Sequence, residues 1–250
     1  MKTAVMICGH GSRDPETVAE FARAASGLKA RLPEHDVGYG YLEFAQPTIR
    51  EGFAALVAQG AQRILVLPAM LFAATHVKND LPSEIRRFSA DFPQIEMRFG
   101  RELSIEPKLL DAAAARIEEG ERHGKRDIPR AESLLLVVGR GTSDAEANAN
   151  IAKLAQMLCD GMGFGRAEIG YGGTASPRSE PALRHAATLG FKRIVVFPFF
   201  LFTGVLVKRV YAACDRVAAE HPETEIIKAP YLSDHPLVLD CLVDRVAEMI

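Results

Sequence analysis

Two histidines and a glutamate stand where side chains of their kind can handle a cation or a proton. His10 lies between Gly9 and Gly11, directly after the apolar run Ala4–Cys8. Flanking glycines let the backbone turn sharply and leave the imidazole uncovered. His76 follows the apolar stretch Leu67–Ala74 and precedes Val77-Lys78-Asn79-Asp80, and Glu43 follows Gly38-Tyr39-Gly40-Tyr41-Leu42. Imidazole suits cobalt, nickel, iron or zinc, and its neutral form accepts protons near neutral pH. Two imidazoles and a carboxylate gathered at one edge would serve either as divalent-cation ligands or as proton acceptors.

An internal repeat separates these residues from the scaffold. At an offset of about 130 residues, Val5–Gly11 maps onto Leu135–Gly141, and Gln62–Pro68 maps onto Lys192–Pro198. Leu71-Phe72 maps onto Leu201-Phe202, and Lys78 onto Lys208. In that frame His10 becomes Arg140 and His76 becomes Leu206. Glu43 falls against Gly170–Ala175, where a small deletion is expected and no carboxylate aligns. The groups able to ligate a metal or move a proton lie in one copy only, so one active site is expected, held by the first half and covered by the second. Arg13, Lys78, Arg140 and Lys208 form a candidate basic patch for an anionic ligand. Phe199, Phe200 and Phe202 suit core packing or an apolar wall.

The elements that must position these residues alternate. Ala4–Cys8, Asp36–Leu42, Arg63–Leu67 and Ile95–Phe99 read as strands. A helix with Asp14 as its cap and Pro15 in its first turn follows the first strand. Pro47 opens a second helix carrying Ile49, Phe53, Leu56 and Val57, ended by Gly60. A third helix follows His76, and a last one starts at Ser104. The second half repeats the order, closing at an offset of about 129 with Pro236 against Pro107. The predicted fold is α/β: two similar lobes, each a parallel β-sheet flanked by helices, related by duplication. Residues 1–119 form one lobe, 120–131 a charged linker and 132–250 the other. Such sheets bind ligands at the carboxyl ends of their strands, the edge to which His10, Glu43 and His76 are assigned.

The bulk properties narrow the class. A net charge of −2 gives no global attraction for nucleic acid or anionic membrane. Apolar runs are broken well before a membrane span, and the amino terminus enters a strand without a signal-peptide pattern, so a cytoplasmic protein is expected. The four cysteines, Cys8, Cys159, Cys214 and Cys241, form no Cys-x-x-Cys pair and read as buried free thiols. His35, His123, His185, His221 and His235 read as surface or structural. Gly-His-Gly-Ser-Arg is not a dinucleotide fingerprint. With Gly9 before the histidine and no second arginine–histidine set, a histidine phosphotransferase is disfavoured.

The motifs Gly-His-Gly-Ser-Arg after a strand, Tyr-x-Glu-x-x-x-Pro (Tyr41, Glu43, Pro47) and Leu67 to Pro82 resemble the class II tetrapyrrole chelatases, nearest the long, two-lobed sirohydrochlorin cobaltochelatases and their ferrochelatase relatives. The resemblance implies ATP-independent insertion of a divalent metal into sirohydrochlorin with release of two protons. The metal would be Co²⁺, for cobalamin synthesis, with Fe²⁺ or Ni²⁺ as alternatives, and no organic cofactor is implied. By residue matching, His10 and His76 would bind the metal and take the protons, with Glu43 assisting. Arg13, Lys78, Arg140 and Lys208 would meet the carboxylates of the macrocycle. Siroheme synthesis with Fe²⁺, or a non-catalytic metal or tetrapyrrole carrier, are the competing readings. A monomer is expected, with no nucleic acid or membrane partner. The chain carries no histidine-rich tail or cysteine cluster, which some long relatives have.

Overall fold

A computed structural model of the chain describes residues 1–74 and 76–250, without the side chains of His76 and Val77. It contains two four-stranded parallel sheets flanked by helices. In the first, β1 (Thr3–Gly9), β2 (Asp36–Tyr41), β3 (Arg63–Pro68) and β4 (Glu96–Phe99) lie in the order β2-β1-β3-β4. The second repeats the order as β6-β5-β7-β8, from β5 (Ser133–Gly139), β6 (Arg166–Tyr171), β7 (Arg193–Pro198) and β8 (Glu225–Lys228). The central strands are buried on both faces, which explains their unbroken apolar runs.

The helices are α1 (Pro15–Arg31), α2 (Ile49–Ala58), α3 (Leu81–Asp91), α4 (Pro107–Glu121), α5 (Ala145–Met162), α6 (Ser179–Ala187), α7 (Val205–Glu220) and α8 (Pro236–Ala247). Asp14 caps α1, accepting from the Glu16 amide. The second helix starts later than the Pro47 opening expected from sequence. Pro47 precedes it in a cis bond, and Thr48 and Glu51 form a reciprocal capping box, a Thr-x-x-Glu signal the sequence reading passed over. On one face of the first sheet, Ala4, Met6, Cys8, Ile64 and Val66 pack under Phe53, Leu56 and Phe88 of α2 and α3. Leu134, Leu136, Val138, Ile194 and Val196 pack under α6 and α7 in the second.

The two compact units are bounded differently from the repeats. One comprises Met1–Lys108 with Asp234–Ile250, the other Leu109–Ser233. The lobes 1–119 and 132–250 therefore describe the duplication, while each unit takes its last helix from the other half of the sequence. In the first unit, α8 contributes Leu239 against Gly27 of α1. In the second, Arg116 of α4 donates to the Leu232 carbonyl. An alternation of strands and helices predicts local packing and carries no information on which copy of a sheet a terminal helix covers.

Buried Arg245, 2% exposed, fastens α8 within the first unit. It donates to the Glu102 and Leu103 carbonyls and pairs with Glu106 and Glu248. Burial alone would raise the Glu106 carboxyl, but Arg245 and Arg101 hold it below the usual carboxylate range. Hydrogen bonding from Arg101 likewise lowers Glu248. Arg245→Ala would leave the Glu102 and Leu103 carbonyls without their donor and Glu106 and Glu248 with Arg101 alone, so urea unfolding should show a loss of about 3 kcal/mol. The two depressed carboxyls contribute stability above their ordinary pKa of 4.5 that is lost as pH falls through their lowered values. The acid limb of the stability curve should therefore flatten in Arg245→Ala.

Candidate functional site

The carboxyl edge of the first sheet brings two of the three candidate chemical residues together. Beyond the last pair of the β1–β2 ladder, Gly9 with Tyr41, the strands stay joined. The Leu42 amide donates to the Gly9 carbonyl and the Glu43 amide to the His10 carbonyl, both at 3.0 Å. Gly11 then crosses the chain at φ 94°, so close that a Cβ there would lie 1.7 Å from the Glu43 carbonyl oxygen. This crossing sets His10 and Glu43 side by side, with His10 Nε2 3.3 Å from Glu43 Oε1.

The contact on the other imidazole nitrogen decides what this pair can do. His10 Nδ1 lies 3.1 Å from the Gly11 carbonyl oxygen. A carbonyl only accepts, so Nδ1 is the donor in that bond and Nε2 is the nitrogen that faces the carboxylate, with a proton between them when the ring is charged and a lone pair there when it is neutral. With the ring neutral, two electron-pair donors face one another, an arrangement that takes up a proton or a cation between them. A divalent metal about 2.1 Å from each would hold donors about 3.0–3.4 Å apart. The His10 side chain is 21% exposed and Glu43 45%, so Glu43 reaches solvent while His10 is mostly sheltered.

His76 opens a π-helical turn, His76–Asp80, that runs into α3. The strand before it, β3, ends at Pro68, one residue beyond the end expected from sequence. The His76 side chain falls outside the described residues. The bond from the Lys78 amide to the Ala74 carbonyl matches Lys208 to Gly204, keeping the offset of 130, whereas Phe92 to Phe88 matches His221 to Val217 at 129. One extra residue in the first half is thus taken up between Lys78 and Phe92, where the helix widens into the π turn. The second half runs instead as continuous α7. Such insertions recur at functional sites.

Arg13 places its guanidinium carbon 4.8 Å from the Phe44 ring centroid. Lys78 is exposed in the π turn. In the second unit, Arg140 directly follows β5 and Lys208 lies in the first turn of α7, each at the carboxyl edge of that sheet. The deletion expected opposite Glu43 is absent. Gly173 donates to Arg140 at 2.6 Å as Glu43 does to His10, and cis Pro177 matches cis Pro47. Gly173 is the residue equivalent to Glu43, and its lack of a side chain disguised the alignment. A Cβ there would lie 2.5 Å from the Arg140 carbonyl oxygen.

Other candidates take structural places. Phe199 is buried and Phe200 packs against the second core. His235 caps α8, accepting from the Leu237 amide. All four cysteines are buried free thiols, and burial pushes Cys241 up to about 11 and Cys8 higher still. Among the described residues, no three His, Cys, Asp or Glu side chains gather as a metal cluster, and no helix is long and apolar enough to cross a membrane. Phe44 went unnoticed in the sequence; an aromatic side chain directly after Glu43 was the available signal.

The profile of the CbiX family matches residues 4–120 and 134–249. A sirohydrochlorin cobaltochelatase of Priestia megaterium is 31% identical across 98% of this chain and 79% of its own. A sirohydrochlorin ferrochelatase of the same organism is also 31% identical, across 99% and 90%. The structure of SirB from Bacillus subtilis with Fe3+ superposes with a TM-score of 0.86 at 27% identity, covering 100% of this chain and 96% of that one.

Gly11→Ala should break the crossing that aligns His10 with Glu43. The expected loss of stability exceeds the roughly 1–2 kcal/mol that left-handed backbone alone costs a residue with a Cβ. Thermal unfolding and Co²⁺ titration should both report the change, with weaker cation binding in the variant.

Proposed function

The chain belongs to the CbiX family of class II chelatases, and from that premise we propose that it inserts a divalent metal into sirohydrochlorin without ATP. The observation that carries the reading is the His10–Glu43 pair, with an imidazole nitrogen and a carboxylate oxygen facing one another at a strand end. His76 is proposed as the second imidazole. Its support is the repeat, which has Leu206 in that place and a continuous helix where the first half widens into a π turn.

In this mechanism the metal is a substrate. His10, carrying its proton on Nδ1, offers Nε2 to the incoming cation, with Glu43 as a second donor. As the metal passes to the pyrrole nitrogens, the vacated imidazoles of His10 and His76 accept the two protons released. Glu43, half exposed beside His10, is placed to carry protons to solvent. Charge balances: one divalent cation enters the macrocycle and two protons leave it. Arg13, Lys78, Arg140 and Lys208 are assigned to the carboxylates on the macrocycle rim, where guanidinium and ammonium donors suit carboxylate acceptors. The chain is taken to act as a monomer in the cytoplasm.

We take Co²⁺, for cobalamin synthesis, as the metal. Fe²⁺, for siroheme, is the alternative, because imidazole and carboxylate accept both and cobaltochelatase and ferrochelatase relatives are equally similar. A non-catalytic carrier would use the same residues but stop at one equivalent. An anaerobic absorbance assay with sirohydrochlorin and either Co²⁺ or Fe²⁺ separates these outcomes. Multiple turnovers are expected, with His10→Ala and His76→Ala each slowing insertion at least about a hundredfold. Arg140→Ala should raise KM for sirohydrochlorin with little change in kcat. Stoichiometric binding without turnover would favour the carrier, and no rate above background with either metal would remove the chelatase reading.

A further inference from the structure

Phe44 is unusual in two independent ways. The residue is 51% exposed, a large apolar group facing water. Its backbone also sits at φ 63°, the left-handed region that disfavours residues with a Cβ. Among the described residues, two other non-glycine residues share that conformation, Ser104 and Ser233, and they occupy matching places in the repeat. Their geometry belongs to the duplicated scaffold. Phe44 has no such counterpart: the second half places exposed Thr174 there, outside the positive-φ set. Among the described residues, the strained aromatic residue occurs only in the half that carries the imidazole and the carboxylate. Strain of this kind concentrates at functional sites.

The surroundings of the ring indicate its use. The Arg13 guanidinium lies over it, and the His10 imidazole stacks beside it at 6.3 Å between centroids and 29° between planes. Its chain neighbour Glu43 supplies the carboxylate opposite His10. A guanidinium lying over an aromatic face retains N–H donors for an acceptor. An exposed aromatic surface beside such a cation suits a flat, conjugated ligand whose rim bears carboxylates.

We propose that Phe44 is a substrate-contact residue whose exposed ring packs against the macrocycle and whose stacking holds Arg13 toward a rim carboxylate. The inference rests on the chelatase reading and adds to it the residue that recognises the conjugated face.

Phe44→Gly tests it, because glycine takes φ 63° without strain while removing the ring. Metal-free sirohydrochlorin is titrated into wild type, Phe44→Gly and Phe44→Tyr by absorbance, and metal insertion is then measured at saturation. Phe44→Gly should melt at or above the wild-type temperature. It should bind sirohydrochlorin about tenfold more weakly, the scale of one lost aromatic contact. KM should rise by the same factor and kcat stay within about threefold, while Phe44→Tyr binds like wild type. Adding Arg13→Ala to Phe44→Gly should weaken binding little further, since the arginine depends on the ring. Binding by Phe44→Gly within about twofold of wild type would overturn the inference. So would unchanged binding with reduced kcat, which would make the ring a support for His10 alone. If Phe44→Gly does not fold, Phe44→Leu keeps apolar bulk without the aromatic face, and the same weakening is expected. A wild-type protein that neither binds nor metallates sirohydrochlorin would remove the chelatase reading and this inference together. An active wild type with an indifferent Phe44→Gly would remove the inference alone.

Discussion

The site depends on a backbone constraint, the continuation of the β1–β2 pairing past the ends of both strands. Two amide–carbonyl bonds join Leu42 and Glu43 to Gly9 and His10, and Gly11 passes within a space that admits no Cβ. Because adjacent parallel strands share one direction, residues distant in sequence emerge side by side at their carboxyl ends. His10 and Glu43 become neighbours through the ladder before any side-chain attraction acts. The imidazole is then oriented by the carbonyl of the following glycine, which turns Nε2 toward Glu43.

Duplication supplies an internal comparison. The second unit keeps the joined strand ends, the left-handed glycine and the cis proline, yet has Arg140 and Gly173 where the first has His10 and Glu43. Its loop is drawn closer, with 2.6 Å between Gly173 and Arg140. A side chain at residue 173 would press on the Arg140 carbonyl. The two loops therefore differ in backbone fit as well as in side-chain chemistry. Placing a glutamate at residue 173 requires the loop to open first.

The terminal helices show how the duplicated chain completes its units. Each sheet is covered by a helix from the other half of the sequence, so the first unit includes the chain's last segment. Arg245 is the anchor there, meeting two carbonyls and two carboxylates from a buried position. A buried guanidinium is tolerable only with such complete pairing. The carboxylates around it thereby acquire a stabilising role that depends on pH.

Much of this was legible in the residues themselves. Apolar runs bounded by glycine, the Asp14-Pro15 helix start and the offset frame are local signals, and they located the strands, the first cap and the asymmetry of His10 and His76. The loop opposite Glu43 was misread because Gly173 has no side chain to align, and only the shared hydrogen bond established its place. The destination of the last helix, the π turn that absorbs one extra residue and the left-handed backbone of Phe44 were decided in three dimensions. Each depends on which distant surface a segment meets, and sequence periodicity records how a segment folds on itself without recording what it packs against.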